Sequence, residues 1–190
     1  MDATEEPDAG GVLVLCTANM CRSPMAAALL RRRLAGAAGG AAVTSAGLLP
    51  GGRPVVPEVL AVMRGYGIDL SGHVSRTVSA ADLSAAGLVL AMTREHLRHA
   101  VVTAPECWPY TFTLQELVRR GERAGPRRRA EPLAAWLARV RRGRRMAELL
   151  GSSPDDDVTD PVGGPPGAYA ATAALLDRLT GGLARLTRGG

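Results

Sequence analysis

Two apolar runs stand out along the chain. Val12-Leu13-Val14-Leu15 and Leu88-Val89-Leu90-Ala91-Met92 are unbroken and too short for helices. Such runs predict strands covered on both faces in a parallel sheet. Ala42-Val43-Thr44-Ser45 predicts a short second strand, and Phe112 marks a fourth. Between them, apolar residues recur at helical spacing. One helix is expected from Pro24 to about Ala35, broken by Gly36 to Gly40, and another from Pro57 to Tyr66, stopped by Gly67. Ala81-Asp82-Leu83 starts a brief helical turn, and Thr93 caps a helix running through His99. Pro105 to Pro109 reads as irregular, Leu114 to Arg120 as a helical turn or two, and Glu131 to Val140 as a helix with Leu133, Trp136, Leu137 and Val140 on one stripe. Ser153 to Asp160 is an acidic loop, Pro161 to Gly167 a turn, and Tyr169 to about Thr187 a long final helix.

Strands alternating with helices predict an α/β fold. The expected architecture has three layers: a central, mostly parallel four-stranded sheet flanked by helices. The strand-to-helix loops then gather at the carboxyl edge of the sheet, where such folds bind ligands. The polar, acidic segment Met1 to Gly11 is expected to be a disordered tail, leaving residues 12–190 as one domain without internal repeats.

Composition narrows the class. At 46% hydrophobic and 22% charged, the 190 residues fall in the ordinary globular range. No apolar run approaches the roughly 20 residues of a membrane span, and no signal segment opens the chain. Three cysteines, two of them in one short loop, do not suit a secreted disulfide scaffold. A reducing cytoplasm is the expected setting. The net charge of +5 comes wholly from arginine, since the chain has no lysine. The densest run, Arg119 to Arg145, reads as a solvated helical face or an attraction for acidic or phosphorylated partners. No nucleic-acid module or set of stacking aromatics accompanies it.

The chemistry concentrates where the first strand meets the first helix, in Cys16-Thr17-Ala18-Asn19-Met20-Cys21-Arg22-Ser23-Pro24. A loop opening into a helix N-terminus directs orphan backbone N–H groups toward one point, which makes an anion cradle. Cys16 sits at its floor as a nucleophile, and Arg22 offers a planar fork that can grip two phosphoryl oxygens.

This Cys-x5-Arg-Ser segment, set between a strand and a Pro-led helix, resembles the low-molecular-weight protein tyrosine phosphatases of bacterial type. The likeness extends through Ser45-Ala46-Gly47, Gly67-Ile68-Asp69-Leu70-Ser71 with His73 and Arg76, Leu90-Ala91-Met92, and Asp160-Pro161. The resemblance implies hydrolysis of phosphotyrosine in proteins, and of aryl phosphates, through a phosphocysteine on Cys16. Arg22 and the N–H groups of Thr17, Ala18, Asn19, Met20 and Cys21 would bind the phosphate. Ser23 would ease the departure of the sulfur, and Asn19 would hold the loop with Ser45 and His73 behind it. Asp160 would act as general acid and then general base. Cys21 would pair with Cys16 under oxidation. No cofactor and no metal are implied, and Asp155 to Asp157 are expected to form a solvated loop face. A tyrosine-phosphorylated protein, such as a bacterial tyrosine kinase, is the partner the resemblance suggests; oligomeric state stays open.

The sequence departs from the family pattern in its pocket walls. Val162 follows Asp160-Pro161 where an aromatic is usual, and Leu48, Leu49 and Pro50 offer no aromatic either. An aliphatic or more open pocket is expected, walled by Leu49 and Val162. Ala18 replaces a glycine common in the cradle, which requires that this position avoid positive φ. Relatives that dephosphorylate arginine resemble this scaffold but carry threonine where Met20 stands. That reading remains the alternative, ahead of an arsenate-reductase-like redox enzyme, for which only Cys107 lies outside the cradle, and of a phosphate-binding regulator without turnover.

Overall fold

The structure is a computed structural model that describes residues 10–35 and 42–188. Four parallel strands form its sheet in the order β2-β1-β3-β4. They are β1 (Val12–Cys16), β2 (Val43–Gly47), β3 (Leu88–Ala91) and β4 (Thr111–Thr113). Around them lie α1 (Arg22–Leu34), α2 (Pro57–Gly65), α3 (Ala80–Ala85), α4 (Arg94–Thr103), α5 (Leu114–Ala124), α6 (Leu133–Val140) and α7 (Pro166–Thr187).

Strand alternation explains the layers, because successive side chains point to opposite faces. Val12 and Val14 of β1, with Leu88, Leu90 and Phe112, pack against Met25 and Leu29 of α1, Met63 of α2, Leu117 of α5, Trp136 of α6 and Leu176 of α7. Leu13, Leu15 and Val89 face the other way, onto Leu83 of α3, Ala100 of α4 and Cys107. Since β1 is central and wholly buried, an unbroken apolar run suits it and an alternating pattern would not.

Several boundaries differ from the sequence expectation. Helix α1 opens at Arg22, before Pro24, whose missing N–H falls in the first turn where that group has no intrahelical partner anyway. Strand β2 runs on to Gly47 because its pairing with β1 continues to Cys16 opposite Gly47. The segment Pro105–Tyr110, expected to be irregular, forms a 3-10 turn, and a second one lies unforeseen at Met146–Leu149. Helix α5 continues to Ala124, and Gly125 ends it at φ 81°. The break expected at Gly36 to Gly40, and residues 1–9 of the expected tail, lie outside the described residues. Gly11 is tied to the sheet edge, its carbonyl accepting from the Gly87 N–H at 3.0 Å.

The arginine run is not uniformly a solvated face. The Arg144 side chain is buried, with its guanidinium 3.8 Å from the Trp108 ring centre and 4.2 Å from that of Phe112. It grips buried Glu116 through two hydrogen bonds of 2.7 and 2.9 Å. A planar cation can stack on rings and fork onto a carboxylate together, so burial here is compensated.

Candidate active site

Strand β1 delivers Cys16 to the carboxyl edge of the sheet, and α1 begins at Arg22. Residues 17–21 must therefore turn sharply, and the turn is made at Asn19, which adopts φ 54°. Asparagine tolerates the left-handed region better than most residues. Ala18 does not take positive φ, so the strained position falls on its neighbour and the methyl group is tolerated. The Asn19 Nδ2 donates to Ser23 Oγ at 2.9 Å and to Ser45 Oγ at 2.8 Å. Its Oδ1 accepts from the Arg76 backbone N–H at 3.1 Å. The His73 Nε2–H donates to the Asn19 carbonyl at 2.8 Å. The structure thus brings Asn19, Ser23, Ser45 and His73 into one network around the loop. Thr17 also anchors the neighbouring wall, its carbonyl accepting from the N–H groups of Leu48 (2.7 Å) and Leu49 (3.0 Å).

Cys16 Sγ lies 3.0 Å from Ser23 Oγ. The Ser23 oxygen already accepts from Asn19, which leaves its own proton free for the sulfur. Arg22 is buried, and its two terminal nitrogens are spoken for: NH1 donates to the Val158 carbonyl at 3.0 Å, while NH2 donates to Thr17 Oγ1 at 3.0 Å and forms an ion pair with Asp160. Its Nε is buried without a partner among the described residues. An unpaired donor on a buried cation is costly unless an anion is meant to meet it. Cys21, the other loop thiol, is pushed up to about 12 by burial and by the nearby negative charge of Asp160, so it stays protonated.

The loop carrying Asp160 is pinned to the edge of the sheet. Val158 N–H donates to the Met92 carbonyl at 2.8 Å, just beyond β3. The expectation of a solvated face at Asp155 to Asp157 fails at Asp156, which is 2% exposed. Its two oxygens meet Arg94 and Arg119, each at 2.7 Å. Asp157 accepts from the backbone N–H of Arg94 at 2.7 Å and of Ser153 at 3.0 Å. A run of aspartates reads as solvated until arginines from α4 and α5 close over one of them, and those contacts are distant in sequence.

Sequence reasoning also missed His96. On α4 it is buried, with Nε2 3.0 Å from Thr17 Oγ1 and Nδ1 2.8 Å from Thr93 Oγ1. Burial, with the adjacent Arg22 charge and then His99, depresses it to about 3, so it is neutral near pH 7. Its only sequence signal was a lone polar residue on the inward face of an amphipathic helix. The expected pocket walls Leu49 and Val162 are exposed, and Met20, expected in the cradle, is half-buried. The Val162 N–H donates to Asp160 Oδ1 at 3.2 Å, orienting the carboxylate.

The arrangement sets a buried sulfur beside a hydroxyl, a guanidinium with a free donor, and a half-exposed carboxylate. A family model for low molecular weight phosphotyrosine protein phosphatases matches residues 11–124. The chain is 33% identical over 120 residues to the low molecular weight protein-tyrosine-phosphatase Etp of Escherichia coli K12, across 63% of this chain and 79% of that one. It is 31% identical over 173 residues to a protein-arginine-phosphatase of Geobacillus stearothermophilus, across 88% of this chain and 92% of that one. The solved low molecular weight protein tyrosine phosphatase of T. tengcongensis matches with TM-score 0.67 at 32% identity, covering 92% of this chain and 97% of that one.

Proposed function

Because the chain belongs to the low molecular weight phosphotyrosine protein phosphatase family, we propose that it hydrolyses phosphotyrosine in proteins through a phosphocysteine on Cys16. One observation carries this reading. The Cys16 sulfur shares its loop with Ser23, 3.0 Å away, and with Arg22, whose buried Nε has no other acceptor among the described residues. An incoming phosphate dianion supplies that acceptor and displaces Asp160 from Arg22.

The chemistry follows from these positions. The thiolate forms an S–P bond as the ester P–O bond breaks, and the Asp160 carboxyl gives its proton to the leaving phenolate oxygen. Asp160 then takes a proton from water, whose oxygen bonds phosphorus as the S–P bond breaks. Ser23 donates to the departing sulfur, while Arg22 and the loop N–H groups carry the charge of the equatorial oxygens.

A second reading, hydrolysis of phosphoarginine, is favoured by the reach of the arginine-phosphatase likeness along 88% of this chain. Met20 argues against it, because an unbranched thioether suits an aryl ring. We place the enzyme in the cytoplasm, acting as one domain over residues 12–190, because its chemistry needs a reduced thiol and its three cysteines are free. No described helix is long and apolar enough to cross a membrane. A tyrosine-phosphorylated kinase is the partner class that fits. Peroxide would oxidise the Cys16 thiolate to a sulfenic acid, and attack by Cys21 sulfur would then form the disulfide and release water.

Steady-state assays of p-nitrophenyl phosphate test the reading. Cys16→Ser should abolish turnover. Asp160→Ala should slow phenols of high pKa far more than activated ones, and equal losses would remove Asp160 from its role. Matched phosphotyrosine, phosphoserine and phosphoarginine peptides decide the substrate, and preference for the arginine peptide would overturn the tyrosine assignment.

A further inference from the structure

Three hydrogen bonds run in line from α4 to the phosphate-gripping arginine. Thr93 Oγ1 meets His96 Nδ1 at 2.8 Å, His96 Nε2 meets Thr17 Oγ1 at 3.0 Å, and Arg22 NH2 donates to the same Thr17 oxygen at 3.0 Å. His96 lies 79 residues from Thr17 and is 3% exposed, so the contact is made by the fold and not by local sequence.

Proton accounting gives the line a direction. A guanidinium has donors only, so Thr17 Oγ1 accepts from Arg22. A neutral imidazole carries one N–H. With that proton on Nδ1, it goes to Thr93 and Nε2 accepts the Thr17 hydroxyl proton. The other tautomer would have Thr17 accept twice and leave its own proton unshared beside the cationic Arg22. The first arrangement has Thr93 Oγ1 accept twice instead, from Nδ1–H and from the His96 backbone N–H at 3.3 Å, and leaves the unshared proton there, at the start of α4, away from the guanidinium.

We propose that His96 is a positioning residue: by accepting the Thr17 hydroxyl it fixes that oxygen as an acceptor for Arg22 and so holds the guanidinium with Nε free for phosphate. The role rests on the reading of Arg22 as the phosphoryl grip. It differs from that of His73, which braces the loop backbone through the Asn19 carbonyl. Rotation of the Thr17 hydroxyl would otherwise let its proton face the arginine. Removal of the hydroxyl would leave NH2 with Asp160 alone, and that partner must depart when substrate arrives.

The test is a double-mutant cycle on Thr17 and His96, read by competitive inhibition by inorganic phosphate and vanadate and by thermal unfolding. Thr17→Val keeps the shape of the side chain and removes the oxygen. It should weaken inhibition by both anions about tenfold, the scale of one hydrogen bond to a charged group. Thr17→Ser should recover most of that loss. His96→Asn should weaken both anions alone but add nothing in the Thr17→Val background. Unfolding midpoints should show coupling as well, because the two side chains share a hydrogen bond, but the midpoint losses should not rank the variants as anion binding does. Losses that add on anion binding, or that track the midpoint across the set, would overturn the proposal and make His96 a packing residue. If His96→Asn fails to fold, the Thr17→Val and Thr17→Ser pair still decides it: an unaltered phosphate inhibition constant in Thr17→Val sinks it. Wild-type turnover and its loss in Cys16→Ser keep the phosphatase reading separate, because that reading survives an inert Thr17→Val.

Discussion

Replacing Asp156 by Ala tests how the acid loop is held. The carboxylate is 2% exposed and bridges Arg94 and Arg119, whose side chains are 17% and 36% exposed. Removing one partner from a buried ion pair costs about 3–5 kcal/mol when the remaining charge is trapped. Here both arginines can reach water, so a smaller loss of about 2–3 kcal/mol is expected. For a chain of this size that lowers the unfolding midpoint by about 5–10 °C, at roughly 2–4 °C per kcal/mol. The functional consequence is separate. Asp160 stands four residues on; between them Asp157 accepts from the Arg94 backbone N–H and the Val158 N–H donates to the Met92 carbonyl. A displacement of about 1 Å at a reacting group can cost on the order of a hundredfold in rate. Aryl phosphates graded by the pKa of their phenols provide the assay, run beside thermal unfolding. Asp156→Ala should steepen the dependence on leaving-group pKa, as Asp160→Ala does but less strongly. A variant that melts with the wild type would refute the burial argument. One that melts early but loses rate evenly across all phenols would refute the link to the acid.

Acid should destabilise the fold through His96. Its native pKa near 3 lies below the ordinary value of 6.5, so the unfolded chain binds more protons between those limits. Stability then falls as pH drops from 6.5 toward 3, by at most about 1.4 kcal/mol per pH unit from this group, and is unaffected by it above 6.5. Urea titrations of the wild type and His96→Asn across that range should show a shallower slope in the variant; parallel slopes would reject the assignment. Gly47→Ala should damage catalysis beyond its effect on folding. A Cβ there would lie 2.8 Å from both Ala18 C and Asn19 N, backbone atoms of the cradle. Turnover should drop at least about tenfold while stability falls by about 1–3 kcal/mol, and full turnover would show that the loop can give way.

The parts of the fold that were legible in sequence are those whose residues act locally. The β1 run, the loop and the Pro-led helix lie within one short span, and the apolar periods of β3 and α7 stand alone. The network among Asn19, Ser45 and His73 could be anticipated only through family likeness, since three separate segments supply it. His96, Asp156 and Arg144 were misread or missed for one physical reason. Each is a polar residue whose burial depends on partners far along the chain, and a polar residue without its partner in view reads as solvated. The acidic run illustrates this, since Asp155 is exposed while its neighbour Asp156 is sealed by two arginines. The 3-10 turn at Pro105–Tyr110 escaped for another reason. Its two prolines suppress helical periodicity without forbidding a tight turn.

The central claim is a covalent bond between phosphorus and the Cys16 sulfur. Rapid acid quench of the enzyme during turnover of an aryl phosphate, followed by peptide mass spectrometry, measures it directly. The account predicts one phosphoryl group on the peptide containing Cys16, absent in Cys16→Ser. Sustained turnover by Cys16→Ser, or phosphate found on another residue during turnover, would contradict it.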